Sequence, residues 1–244
     1  MPTHERIRAP RRIRAGAAAD RRPGSTVTCA VLSTGPEEWA GVDLASGAFV
    51  RARPSRAGTP AVAGEWSIYD VARLEVGADD EPPDPARPES VVLATEPRRV
   101  GRLRRGAARR LLAQLAAPDR NRAPILGTRG PSTAYVDLDL SMPSIELVPT
   151  DARALRCFVR ADGGPACAFS WSGITLTLPV LDARVRAALD GGGAPLADAA
   201  LATVCGGKPG YLLVALTAVR GGHAPKAVLS VVAKRPSRRA RETS

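Results

Sequence analysis

Histidine is almost absent from these 244 residues, with only His4 and His223 present. Catalysis by a nucleophile and an imidazole needs a positioned histidine. His4 lies in a terminal segment, and His223 falls in a predicted hairpin turn. The four cysteines, Cys29, Cys157, Cys167 and Cys205, show no Cys-x-x-Cys spacing. A Cys/His zinc site therefore has no support. Cys157 and Cys167 could face one another across a hairpin, but in a reducing cytoplasm buried free thiols are the expectation. Ser172-Gly173 lacks the Gly-x-Ser-x-Gly elbow of a serine hydrolase. Gly206-Gly207-Lys208 ends like a phosphate loop, without the first glycine or the following Ser/Thr, and reads as a turn. Long apolar runs are missing too: the longest, Tyr211–Val219, is too short to cross a bilayer. Arg11-Arg12 is not followed by the apolar stretch a secretory signal needs. These absences predict a cytoplasmic, non-enzymatic chain with no cofactor and no membrane partner, and they leave its oligomeric state open.

Aromatic residues are scarce, at nine in all, and lysine is scarcer still beside arginine. Ala, Gly, Pro and Arg dominate, a bias typical of GC-rich bacterial coding sequence, so alanine and arginine counts carry less structural meaning than usual. Hydrophobic residues still make up 44% of the chain, enough to fill a core. The formal net charge is +11, which alone would suggest a nucleic-acid binder. Its distribution matters more. Residues 1–24 carry +5 and residues 234–244 carry +4, leaving +2 for everything between. Both ends lack apolar periodicity and are expected to be disordered basic tails. Such tails bind polyanions without sequence preference, or simply aid solubility.

Between the tails, strand signals dominate. Val27, Cys29 and Val31 alternate with Thr28 and Ala30, which predicts a strand ended by Gly35-Pro36. Ala40–Asp43, the turn Ala45-Ser46-Gly47 and Ala48–Arg51 predict a hairpin. Val71–Val76 reads as a further strand. Residues 75–89 hold six carboxylates and four prolines against Arg87, predicting an extended acidic surface loop. Residues 98–110 are the opposite, with seven arginines and no acid. There Val100, Leu103, Ala107, Leu111 and Leu115 follow helical spacing. The segment 98–117 is therefore predicted to be an amphipathic helix closed by Pro118, with Arg102, Arg105 and Arg109 on one side. Beyond a loop at 119–132, Tyr135–Leu140 alternates as a strand should. Ser144–Val148, Leu155–Arg160, Ala166–Trp171 and Ile174–Val180 follow, with Gly163-Gly164 and Ser172-Gly173 as turns. Asp182 is placed to cap a short helix over 182–189, broken by Gly191-Gly192-Gly193. Tyr211–Val219 and Ala227–Ala233 close the chain around Gly221-Gly222. Short strands at regular spacing argue for small barrels or sandwiches, and no internal repeat is visible in the sequence.

Four stretches together resemble the dual OB-containing domain, a bacterial family of two successive OB-like barrels. Trp39-Ala40-Gly41-Val42-Asp43 precedes Gly47-Ala48-Phe49-Val50-Arg51-Ala52-Arg53-Pro54, where the family has a Gly-x-Trp-Ile-Arg-Pro-like segment. Here Phe49 stands in place of Trp, and Ala52 separates the arginines. Asp84-Pro85-Ala86-Arg87-Pro88-Glu89-Ser90 is similar to the family's His-Pro-x-Gln-Pro-Glu-Asn. Ala168-Phe169-Ser170-Trp171-Ser172-Gly173, running on to Leu178-Pro179-Val180-Leu181-Asp182, resembles Phe-x-Tyr-Asn-Gly and a Val-Thr-Asp ending. Tyr211–Val219 with Lys226–Val232 is similar to the closing strand pair. The resemblance implies a mainly β chain with two small OB-like barrels in tandem. The first would span 25–118, including the 98–117 helix, and the second 119–233. It also implies a nucleic-acid-binding role, by analogy of fold alone, and no catalytic residues.

Two features carry that role at the residue level. Phe49, Arg51 and Arg53 share one face of a predicted strand, offering a stacking ring and two phosphate contacts, as OB surfaces do. If Phe49 instead points into the core, the arginines must follow it, and buried unpaired arginine is rare. Trp39 and Trp66 are expected in the core. The second feature is the set Arg98, Arg99, Arg102, Arg105 and Arg109. They are expected either to contact phosphates or to pair with the acidic 75–89 loop. The alternative function is a protein-interaction adapter using a barrel edge or that loop. A metal-dependent nuclease at Asp137 and Asp139 is weaker, since an alternating pair of aspartates is more often the solvated face of a strand than a Mg²⁺ site.

Overall fold

Gly24 donates its amide to Val76 O at 2.8 Å, and from that point the chain builds one curled sheet. The computed structural model describes residues 22–35, 38–54, 66–79, 82–116, 124–141, 143–190 and 194–234. Most of both basic ends, and the Gly191-Gly192-Gly193 break, lie outside the described residues. Backbone contacts divide the chain into two units, Met1–Leu115 and Ala116–Ser244.

In the first unit, β1 (Thr26–Thr34), β2 (Trp39–Asp43) and β3 (Phe49–Pro54) form an antiparallel meander. Val27, Cys29 and Val31 enter the core with Trp39, Val50 and Ala52, as their alternation predicts. Asp43 makes the β2–β3 turn by accepting the amides of Ala45 at 3.1 Å and Ser46 at 3.0 Å. Gly41 lets β2 lie close to β1, since a Cβ there would sit 2.4 Å from Ala30 O. β4 (Asp70–Glu75) pairs antiparallel with β1, and β5 (Ser90–Leu93) pairs parallel with β3. The chain just beyond β4 then reaches β5. Val76 bridges Leu93, Gly77 N donates to Val92 O at 2.8 Å, and Ala94 N donates to Glu75 O at 3.0 Å. The path around this curled sheet is therefore β1-β2-β3-β5-β4-β1. The described parts of 76–89 between β4 and β5 carry no helix and no ladder strand, only the Val76 bridge.

The predicted helix over 98–117 is only half a helix. Arg98–Arg102 is a strand, β6, antiparallel to the first half of β4, and the helix α1 runs Arg105–Leu115. The exposed backbone of β4 offers a ladder, and buried Asp70 on that strand draws in Arg99 and Arg102. That long-range attraction outweighs the helical spacing of Val100 and Leu103. Leu103 N donates to Tyr69 O, and helical bonding begins only at Ala108 N to Arg104 O. The predicted end at 117–118 lies outside the described residues.

The second unit contains β7 (Ser132–Ala134), β8 (Ile145–Pro149), β9 (Arg156–Val159), β10 (Pro165–Trp171) and β11 (Ile174–Pro179). They are followed by α2 (Ala183–Asp190), β12 (Leu196–Ala197), α3 (Asp198–Val204), β13 (Pro209–Leu216) and β14 (His223–Ala233). One sheet runs β11-β10-β9-β12 and the other β7-β14-β13-β8. β8 leads into β9 through a 3₁₀ turn at Ala152–Ala154, so the chain passes from one sheet to the other. A parallel bridge, Val180 to Val228, joins the end of β11 to β14, and Leu181 N donates to Val228 O at 2.8 Å. With β8 and β9 taken as one bent strand, the path is β8/β9-β10-β11-β14-β13-β8. This is the order of the first unit, parallel step included.

Two-residue turns with positive φ close the β10–β11 and β13–β14 hairpins: Ser172-Gly173 at +50° and +79°, Gly221-Gly222 at +54° and +76°. Such geometry matches the strand twist and favours glycine. Asp182 caps α2 as predicted, accepting Arg184 N at 3.0 Å, and its other oxygen accepts Val231 N at 2.8 Å. Tyr135–Leu140 is not a strand. Tyr135–Asp137 forms a 3₁₀ turn anchored by Tyr135 N on Gly222 O. Its alternation had no core to meet, for Val136 is 90% exposed. β12 and α3 carry weak local signals and are found only in the fold. Among the described residues, no helix is long and apolar enough to cross a membrane.

Candidate nucleic-acid interface

Alternation along β3 sends Val50 and Ala52 into the core and Phe49, Arg51 and Arg53 to the other face. That face is not open to a ligand at its centre. Arg51 is fully buried, and its Nη1 donates to Glu38 Oε1 at 3.3 Å. Burial pulls its pKa down, while Glu38 and then Glu89 pull it back up. Arg87 donates to the other oxygen of Glu38 at 3.4 Å. Arg53 makes a forked pair with both oxygens of Asp79, each at 2.8 Å. Phe49 is half-buried. The strand is bulged at neither arginine. It is covered instead by Glu38 and residues of the acidic segment, which supply the counter-charges. The 75–89 loop thus pairs with Arg53 through Asp79 and with Glu38 through Arg87, and none of its described residues forms an ion pair with the 98–110 set.

That set lies across two elements. Arg98, Arg99 and Arg102 stand on β6, and Arg105 and Arg109 on α1, so Arg102 does not share a helix face with the other two. Asp70 lies almost fully buried beneath the strand. Arg99 Nη2 and Arg102 Nη1 each donate to it at 2.9 Å, and Ser67 N adds a third bond at 2.9 Å. The Arg99 guanidinium sits 5.3 Å from the centre of the Trp66 ring, which stacks on Trp39 at 5.9 Å. Trp39 is core, as expected, and Trp66 packs half-buried against it. Arg98, Arg104, Arg105, Arg109 and Arg110 are exposed and carry no ion pair among the described residues. On α1 the opposite side buries Ala107, Ala108, Leu111, Leu112 and Leu115. The first turn of α1 contains no acid, so Arg104 and Arg105 crowd the positive end of the helix dipole. Each such cation is disfavoured by about 0.3–1 kcal/mol, a cost that a bound anion would relieve.

The other candidate groups lie apart. Asp137 sits in the 3₁₀ turn, while Asp139 accepts Ser141 N at 2.7 Å. They do not line one strand face, and no group of three or more metal-ligating residues occurs among the described residues. All four cysteines are free and buried. Cys157 and Cys167 are directly opposed across β9 and β10. The hydrogen bond that the Cys167 thiol makes to Cys157, together with burial, holds it well above its ordinary range. Burial pushes Cys205 up to about 12 and Cys29 higher. Gly206-Gly207-Lys208 is a turn after α3, and His223 opens β14. An open cavity of 730 Å³ lies between Pro149, Asp151 and Ala154 on one side and Ser170–Gly173 on the other.

Sequence reasoning missed Asp70, the residue that organises β6. It lies 29 and 32 positions before its two partners, so no local pattern marks it. No protein-family model matches the chain, and no curated protein or solved structure matches it either.

Proposed function

We propose that this protein binds nucleic acid, and that its two units are OB-like barrels. The shared path 1-2-3-5-4-1, with one parallel step in each unit, supports the barrel reading. The functional reading is carried by Arg98, Arg104, Arg105, Arg109 and Arg110, exposed on β6 and α1 and without an ion pair among the described residues, whereas Arg99 and Arg102 pair with Asp70. Arg104 and Arg105 flank the N-terminus of α1, and Arg109 and Arg110 follow one turn on, a setting suited to phosphate. The β3 arginines contribute less, because Glu38 and Asp79 already engage them.

Fluorescence anisotropy with a labelled single-stranded oligonucleotide tests this on the full chain. Binding is expected at about 50 mM salt and should weaken steeply as salt rises. R105E/R109E should reduce affinity at least tenfold, whereas R53E should change it little. Absence of binding by the unaltered chain at low salt would refute the proposal.

A further inference from the structure

The second unit repeats on its own sheet the pattern that β3 only partly offers. Along β9, Cys157 points to the core and Arg156 and Phe158 alternate onto the other face, with Arg160 just past the strand at the turn into β10. Arg156 is exposed and has no ion pair among the described residues. Arg160 pairs with Asp162 at 3.0 Å, but both are well exposed, and such a pair contributes little. Phe158 is half-buried.

What surrounds Phe158 is low. Its partner on β10 is Ala166, Arg156 is opposite Ala168, and Ala168 is opposite Thr177. Ser170 and Thr175 continue the row. Ala166 is fully buried between Phe158 and Pro179 of β11, and the rest of the row is short side chains. Neighbours on one strand face lie about 6–7 Å apart, so Arg156 and Phe158 set a cation beside a ring at the scale of successive nucleotides, and Arg160 follows at the turn. Through Ser170 it runs into the 730 Å³ cavity.

We infer that this face of β9, β10 and β11 is a second contact surface for single-stranded nucleic acid. Phe158 stacks on one base, and Arg156 and Arg160 hold the flanking phosphates. A paired duplex hides its base faces and cannot use the ring, so the surface selects single strands. This rests on the nucleic-acid reading above, and the two can fail separately.

The test is anisotropy of labelled oligothymidylate on the full chain. F158L keeps bulk and apolarity but loses the aromatic face, and should weaken binding about 5- to 150-fold, while F158W should retain it. R156S/R160S alters only exposed groups, so it tests the surface without risk to the fold. It should lower the slope of log affinity against log salt by about 1.4. If R105E/R109E weakens binding while F158L and R156S/R160S match the unaltered chain, the second surface is refuted and the first stands. If the unaltered chain does not bind, both fall.

Discussion

Lys226 is the residue whose burial has the clearest consequence. Its Nζ donates to Thr128 O at 2.6 Å and Gly130 O at 3.0 Å, tying the segment before β7 to β14. Burial lowers its pKa to about 8 from 10.5, against a pull upward from Glu146. Between these values the folded chain has released a proton that the unfolded chain still holds. Stability should therefore rise with pH across that window, be complete above about 10.5, and be lost as pH falls toward 8. Urea denaturation midpoints of the unaltered chain and of Lys226→Met, measured from pH 8 to 10.5, check this. The rise should be smaller in the variant, and an equal rise would show that other groups cause it. In sequence Lys226 reads as a polar residue just ahead of the strand Ala227–Ala233. Only the carbonyls nearly a hundred positions earlier explain it.

At the scale of elements, Asp70 decides where β6 ends and α1 begins. Its carboxylate accepts from Ser67 N and pairs with Arg99 and Arg102. Asp70→Ala would remove the acceptor of Ser67 N and both ion pairs, with an expected loss of about 1–3 kcal/mol. Asp70→Asn keeps an acceptor for Ser67 and should lose less. Chemical denaturation of both variants tests the ranking, and equal losses would mean that the ion pairs, not the amide cap, dominate. Elements with local causes were legible beforehand. The β10–β11 hairpin followed from Ser172-Gly173 and period-two alternation, and α2 from its Asp182 cap. Elements chosen by distant partners were not. The alternation of Tyr135–Leu140 met no core, and the helical spacing of Val100 and Leu103 yielded to a β4 edge.

For the whole molecule, charge placement sets the expected behaviour. Nine of the eleven net charges belong to the two ends. Replacing the basic residues of 1–24 and 234–244 with serine should weaken binding and flatten its salt dependence without abolishing either. Complete loss, read by the same anisotropy titration, would assign binding to the ends alone. The repeated strand order has no counterpart in the sequence, because each curled sheet needs only apolar residues in alternation, and many different sequences satisfy that. The sequence by itself determined the strand-rich class, the sharp turns, the paucity of catalytic groups and the opposition of an acidic 75–89 to a basic 98–110. These follow from periodicity, glycine conformations and composition, all of which act locally. The tertiary structure alone decided who neutralises whom. Asp79 and Glu38 engage Arg53 and Arg51, and Asp70 engages Arg99 and Arg102, while Arg98, Arg104, Arg105, Arg109 and Arg110 stay exposed with no ion pair among the described residues. Ion pairing depends on distances set by strand register, and register is fixed only when the whole sheet closes.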